Sequence, residues 1–410
     1  MPEFKPFRGL RYDEAIDMNA TCAPPYDVIG EAERASLAGQ TPYNVVNIDL
    51  PIASADGDDE DPYARSARLL HEWQEEKVLV TDDEPSFYIY RMGFHDEQGK
   101  ARQTTGVIGA LTLSPPSEGH ILPHEQTTPK AKSDRLDLLR STHANLSPIW
   151  GLSLAEGLTE LCEVPGPPVA RATDANGVHH RLWKVTSSGV LDAISQAIAS
   201  TPIVLADGHH RFETSLAYRD ERRAANNGAS GGYDATMALV IELTESQLSV
   251  QAIHRLFAGV PGPLKAPEAL LAALEPYFEP FDAGPSAPEL LARMNDAGAL
   301  SLVFPNGHSW LLRPRPDAFP NDTPDLDSAR LQYVASKVFP DAEVIYQHGI
   351  EHILGRIGEP SEGFDIGVLL RPVGVAQIAT CAHGGDRMPP KSTYFHPKPM
   401  TGMVFRSLDD

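Results

Sequence analysis

The sequence predicts a mixed α/β fold, and three observations predict it. Short apolar runs of β-like character alternate with stretches of helical spacing; one buried run, Pro202-Ile203-Val204-Leu205-Ala206, leads through a polar turn into a helical pattern; and there is no repeat of fixed period and no long low-complexity tract. At 410 residues the chain has room for two or three units, each with its own core, since domains run to about 100–200 residues.

Taken in order, Tyr43-Asn44-Val45-Val46-Asn47-Ile48 and Phe87-Tyr88-Ile89-Tyr90 read as strands, and Tyr63 to Trp73 reads as a helix. Between them the acidic loop Asp56-Gly57-Asp58-Asp59-Glu60-Asp61 lacks the full ligand pattern of a calcium loop and its terminal Glu, so a solvated loop is expected. Pro165-Gly166-Pro167-Pro168 is a turn-rich break ahead of the strand Arg181 to Val185. A helix over Val190 to Ala199, the strand Pro202 to Ala206, a helix from Arg211 to about Ala225 and a strand over Met237 to Ile241 follow. The Pro-, Gly- and Ala-rich stretch from Gly259 to Pro285, around one helix at Glu268 to Glu275, marks a boundary. The expected division is therefore 1–160, an N-terminal α/β part; 161–258, the part carrying the polar turn; and 259–410, a C-terminal α/β part.

Lys and Arg number 34 against 56 Asp and Glu, a formal charge of -22. Such a field repels a phosphate backbone and argues against long nucleic acid as a partner; it reads as a solubility feature. Cys22, Cys162 and Cys381 lie far apart with no C-x-x-C pair, so neither a disulfide framework nor a thiolate zinc site is suggested, and a reducing, cytoplasmic compartment fits best. The first residues lack the apolar core of a signal peptide, and no later stretch approaches about 18 uninterrupted apolar residues, so neither export nor a membrane span is expected.

The densest chemistry lies in Ala206-Asp207-Gly208-His209-His210-Arg211-Phe212-Glu213-Thr214. A strand-to-helix turn presents free backbone N–H groups and the positive end of a helix dipole, both suited to phosphate or carboxylate. Gly208 permits a tight turn and close ligand approach, His209 and His210 are switchable donors, and Arg211 is a fixed fork for phosphate. Asp207 either helps to hold a cation or simply caps the helix, and in the second case the histidines satisfy neighbouring backbone.

A second cluster is His124-Glu125-Gln126-Thr127-Thr128-Pro129-Lys130, followed by Ser133-Asp134-Arg135 and Asn145-Leu146-Ser147-Pro148-Ile149. Glu125 is a candidate general base, Lys130 and Arg135 can neutralise phosphate charge, and His124 joins them as a pocket candidate; an exposed loop with ordinary ion pairs has the same composition. A third, Met388-Pro389-Pro390-Lys391-Ser392-Thr393, resembles the end of a P-loop superficially. Pro390 stands where a glycine is required, so that assignment is rejected, and Lys391, Ser392 and Thr393 stay candidates for a substrate pocket or a structural turn. Ala23-Pro24-Pro25-Tyr26-Asp27-Val28-Ile29 reads as a rigid loop suited to a pocket wall or to a plain turn.

No metal site is expected. Pro123 argues against a helix carrying His120 and His124; His348 and His352 lack the H-E-x-x-H order, and Gly349 weakens a helix between them. No G-x-S-x-G elbow and no G-x-G-x-x-G fingerprint is present.

On these residues the sequence resembles the bacterial and archaeal family catalogued as domain of unknown function 1015. The resemblance runs through Arg8-Gly9-Leu10-Arg11-Tyr12, Ala23 to Ile29, Pro42-Tyr43-Asn44-Val45-Val46, His124-Glu125, Ala206 to Glu213 and Pro389 to Thr393, in that order. Asp207-Gly208-His209-His210-Arg211 is also similar to the phosphate-contacting turn of free serine kinases of the ParB and sulfiredoxin superfamily. That second likeness implies a ParB/sulfiredoxin-like nucleotide-binding core with additional N- and C-terminal subdomains. In those enzymes a glutamate upstream of the turn activates the serine hydroxyl, and the matching residue by order and chemistry is Glu125.

The expectation is a small-molecule kinase using Mg2+ with ATP or ADP and a free hydroxy amino acid, L-serine first. Phosphates sit on Gly208, His209, His210 and Arg211; Glu125, Asp207 and His210 act in catalysis; His124, Lys130, Arg135, Lys391, Ser392 and Thr393 line the substrate pocket. The alternatives are a ParB-like nucleotide-binding switch or nucleic-acid-associated protein without phosphoryl transfer, and a purely structural or partner-binding protein. The acidic composition weighs against the nucleic-acid form.

Overall fold

The computed structural model describes residues 1–53, 60–96, 99–123, 132–384 and 388–409. It divides into two compact units. The first comprises the described residues up to Ser249 together with the stretch from Pro397 onward, and the second comprises Val250–His396. The class is mixed α/β with several sheets.

The first unit is organised by a sheet of nine strands among the described residues. In spatial order they are Ile121–Pro123, Ile203–Asp207, Ile149–Ser153, Ala235–Glu242, Ala101–Thr112, Phe87–His95, His179–Val185 and Ala170–Thr173, with Phe4–Lys5 pairing on Ala101–Thr112. Ile203–Asp207 runs parallel to Ile121–Pro123 and antiparallel to Ile149–Ser153, which is in turn parallel to Ala235–Glu242. Strands this deep in a sheet read as continuous apolar runs, which is why Met237-Ala238-Leu239-Val240-Ile241 and Ile203-Val204-Leu205 are legible as strands and are buried throughout. The helix Ser188–Ala199 places Ile194 and Ile198 into the core on this sheet, where Phe212 also packs.

A second core of the same unit gathers Leu10, Val45, Ile48, Trp73, Leu79 and Phe405. It lies with a four-stranded sheet in the order Leu79–Thr81, Gly9–Tyr12, Phe405–Ser407, Ala144–Asn145. Here one expectation is corrected: Tyr43–Ile48 is not a strand but leads into a single helical turn, Val46–Asp49. The cause is Asn44, whose Nδ2 donates to the Ala20 carbonyl at 2.7 Å while its Oδ1 accepts the Val46 N–H at 3.0 Å. That side-chain bonding offers the backbone an alternative to a ladder, and Val45, Val46 and Ile48 are all buried in the turn that results. The predicted helix over Tyr63 to Trp73 is present as Pro62–Glu75, N-capped by Asp61, which accepts the Ala64 N–H at 3.0 Å. Asp56–Asp59 of the acidic loop lie outside the described residues.

The second unit is an antiparallel sheet in the order Phe278–Pro285, His308–Pro314, Leu300–Val303, Ile366–Leu369, Ile253–Ala258, Glu343–His348. Consecutive residues of one strand serve opposite faces, as the pleat dictates. Phe257 and Leu302 join a core with Leu270, Leu274, Leu331 and Val334 of the helices Pro267–Leu274 and Asp327–Val338. Leu256 and Val303 join another with Leu290, Met294, Ile353 and Ile357 of Leu290–Ala297 and Ile350–Ile357.

Candidate functional site

Asp207 ends the buried strand Ile203–Asp207, and the register against Ile149–Ser153 shifts between Leu205 and Asp207, so that Asp207 faces Trp150. A bulge of this kind bends the strand and re-aims its last side chain. Gly208 then adopts φ 82, the left-handed conformation that glycine enters without penalty, and the helix His209–Ala225 begins at once. The helix forms because Phe212, Ser215, Tyr218 and Arg219 fall on one buried face at helical spacing. Its start has no side-chain cap. Asp207 therefore does not play the capping role that the sequence left open for it.

The Asp207 carboxylate is instead held by two cations. Lys398 Nζ lies 2.5 Å from Oδ1, and Arg211 Nη2 lies 3.3 Å from Oδ2, with side-chain exposures of only 11% for Lys398, 14% for Arg211 and 21% for Asp207. Burial pushes the Asp207 carboxyl upward, but Lys398 and then Arg211 outweigh it and bring it down to about 2. Arg211 also donates from Nη1 to Ser147 Oγ at 2.9 Å and to the Pro148 carbonyl. Its guanidinium lies back over the turn, 3.1 to 3.2 Å from where a Gly208 Cβ would stand. Its Nε, and the Thr214 hydroxyl one helical turn on, are buried without a hydrogen-bond partner among the described residues.

A cavity of about 50 Å³ opens beside Arg211, lined among others by Asp49, Arg135, Ser147, Thr214 and Thr236. Arg135 is deeply buried: Nη1 donates to the Asp49 carbonyl at 2.7 Å and reaches its carboxylate at 3.2 Å, Nε donates to Asp134 at 2.6 Å, and the guanidinium lies 4.1 Å over the Tyr26 ring. Burial pushes the Asp49 carboxyl up, against the pull of Arg135 and Arg211. The Pro-Pro-Tyr-Asp loop thus contributes Tyr26 from a short 3-10 turn, Tyr26–Val28, as the surface on which Arg135 stacks.

The structure brings together Asp207, Gly208, His209, His210, Arg211 and Arg135 in the first unit, with both histidines half-buried at the helix start. His124, Glu125 and Lys130 lie outside the described residues. Lys391, Ser392 and Thr393 belong to the second unit. There Lys391 is exposed with φ 59, and Ser392 is buried, its Oγ 2.8 Å from Ser328 Oγ and donating to the Pro389 carbonyl at 2.7 Å. Gly349, at φ 82, separates His348 from the helix that carries His352. Among the described residues no group of three or more His, Cys, Asp or Glu side chains is disposed to hold a metal ion, and no helix is long and apolar enough to cross a membrane.

Sequence reasoning missed Lys398. Its one local signal is the Pro397-Lys398-Pro399 triplet, which forces an extended backbone and so presents the lysine on a stiff segment.

No curated protein matches the chain. Solved structures similar to it include a variant free serine kinase in complex with AMP, at 11% identity and TM-score 0.40, covering 74% of this chain and 92% of that one. A conserved hypothetical protein from Pyrococcus furiosus is similar at 11% identity and TM-score 0.38, covering 73% of this chain and 93% of its own. SbnI with a C-terminal truncation, from Staphylococcus aureus, is similar at 12% identity and TM-score 0.38, covering 72% and 85%. The family model described as protein of unknown function (DUF1015) matches residues 4–335, and the chain belongs to that family.

Proposed function

We propose that the protein is a small-molecule kinase that transfers the terminal phosphoryl group of ATP or ADP to the hydroxyl of a free hydroxy amino acid, L-serine first. The observation that carries this reading is the start of the helix His209–Ala225, entered through a left-handed Gly208 and flanked by the buried cations Lys398 and Arg211. N–H groups at the positive end of a helix dipole bind phosphate oxygens, and a glycine without Cβ lets them approach. The buried Arg211 Nε–H, which has no acceptor among the described residues, is a further donor at the same turn.

In the transfer, the acceptor hydroxyl oxygen bonds to the terminal phosphorus as the bond from phosphorus to the bridging oxygen breaks. The nucleotide leaves with that electron pair, and Glu125 takes the hydroxyl proton. His209, His210 and Arg211 hold the phosphate oxygens and offset the charge of the transferring group. Mg2+, when bound with the nucleotide, would neutralise charge on its phosphates. Arg135 and Ser147 border the cavity beside Arg211, and on this reading they face the acceptor.

The test is phosphate transfer from labelled ATP, and separately ADP, to a panel of free hydroxy amino acids, with wild type, Glu125→Ala and Asp207→Ala. Transfer by wild type that Glu125→Ala loses supports the reading and the base. Purified protein that neither binds ATP or ADP nor phosphorylates any member of the panel overturns it.

A further inference from the structure

We infer that Lys398 is a phosphate-contacting residue of this site and that Asp207 is the positioning residue that sets it there; this rests on the kinase reading and deepens it. Asp207 and Lys398 stand 191 positions apart in sequence, yet their charged atoms meet at 2.5 Å, at the start of a helix of 17 residues. A helix N-terminus is the wrong end for an ammonium. Its partial positive charge repels a cation and favours an anion, and desolvating the amine adds to the cost. Lys398, Arg211 and the positive end of the helix stand together at this turn, around the Asp207 carboxylate. In a chain of formal charge -22, such a cluster of cations suits a polyanion, and the tail of a nucleoside di- or triphosphate is one.

The lysine is also held there by more than its own ion pair. The Met400 N–H donates to the Tyr90 hydroxyl at 3.1 Å, and Thr401 exchanges two backbone hydrogen bonds with Ala23, at 3.1 and 2.9 Å. Gly402, at φ 105, brings the backbone so close to Cys22 that a Cβ would lie 3.1 Å from its sulfur. With Pro397 and Pro399 on either side, Lys398 sits on a segment whose conformational freedom is largely spent before any ligand arrives. The three tethers fix the backbone, and the Asp207 carboxylate fixes the last rotatable bonds of the side chain. In phosphoryl transfer the ammonium then neutralises a terminal phosphoryl oxygen as the bond to the bridging oxygen breaks, with no proton moved through it.

Calorimetric titration of full-length wild type, Lys398→Gln, Lys398→Arg and Asp207→Asn with ADP and with inorganic pyrophosphate tests this, at two salt concentrations and with melting curves for each variant. Lys398→Gln is expected to bind both probes about tenfold or more weakly and with a shallower salt dependence, while Lys398→Arg, which keeps the charge, stays within about threefold of wild type. Asp207→Asn gives the sharper reading. A carboxylate that only repels the anion would give tighter binding when neutralised, whereas one that positions the lysine gives weaker binding, and weaker is the expected result. Binding by Lys398→Gln equal to wild type, or tighter binding by Asp207→Asn, overturns the proposal. If wild type binds neither probe, this proposal and the kinase reading fall together. Binding that depends on Lys398 without transfer to any hydroxy amino acid removes the kinase reading and leaves the phosphate contact standing.

Discussion

Tyr90 and His180 share a 2.6 Å hydrogen bond in the interior of the first unit, and the same phenolic oxygen accepts the Met400 N–H. Behind the imidazole, His180 Nε2 lies 3.5 Å from the Asp174 carboxylate, which also accepts the Val178 and Asn176 N–H groups. This chain of polar groups, with Tyr90 and His180 both buried, ties the strand Phe87–His95 to the segment that carries Lys398. Tyr90→Phe leaves the Met400 N–H and a His180 nitrogen without their partner. The expected cost is about 1–3 kcal/mol in urea unfolding, accompanied by a several-fold loss of ADP affinity. Lost stability with unchanged affinity would show that this bond does not help to place Lys398.

Gly208 is the position where backbone shape and charge placement meet. Gly208→Ala forces a Cβ into a left-handed residue and against the Arg211 guanidinium, 3.1 to 3.2 Å away. A loss of about 1–2 kcal/mol in stability is expected from the conformation alone. ADP affinity, followed by calorimetry, should fall further than at an exposed left-handed glycine such as Gly177, whose Cβ would meet nothing within 4 Å.

The second unit carries its own acid sensitivity. His254 is buried and accepts the Leu370 N–H on Nδ1 at 3.1 Å; burial, then Arg255 and His348, bring its pKa down from 6.5 to about 4. Between those values the unfolded chain binds a proton that the folded one refuses. The associated stability is therefore complete above pH 6.5 and is lost as pH falls toward 4, to a total on the order of 3 kcal/mol. Urea unfolding of the second unit at pH 7 and 4.5 should show that slope in wild type and a flatter one in His254→Gln, whose amide oxygen can accept the same N–H. An equal slope in both would locate the sensitivity elsewhere.

Cys22 and Cys162 are buried, and burial pushes each thiol up to about 12. At pH 8 the thiolate fraction is then on the order of one in ten thousand. A disulfide reagent followed by peptide mapping should leave both unmodified in the folded protein and modify both in guanidinium. Labelling of the native protein at either would contradict the burial.

What the sequence made legible was what a local pattern can encode. The runs Ile203-Val204-Leu205 and Met237 to Ile241 are apolar on both faces because both faces of their sheet are covered, and the helix from His209 follows a 3.6-residue spacing of buried side chains. Tyr43–Ile48 misled because β-branched residues register as strand whatever captures the backbone, and the captor, the Ala20 carbonyl on the Asn44 amide, lies 24 residues back. The turn at Asp207 was legible from its composition; the partner of Asp207 was not. Lys398 carries no local mark beyond its two prolines, and an ion pair between distant positions leaves no periodicity to read. Arg135 was visible as a cation, but not as one already committed to Asp49, Asp134 and Tyr26.

The return of the chain to its first unit after Pro397 sets an order of events during synthesis. A nascent chain that has made Asp207 must add another 191 residues before Lys398 exists, and the strand Phe405–Ser407, which lies between Gly9–Tyr12 and Ala144–Asn145, comes later still. On the ribosome the turn is therefore a half-made electrode, bearing the negative member of its pair without the positive one. The ion pair between Asp207 and Lys398 closes only after the whole second unit has been translated.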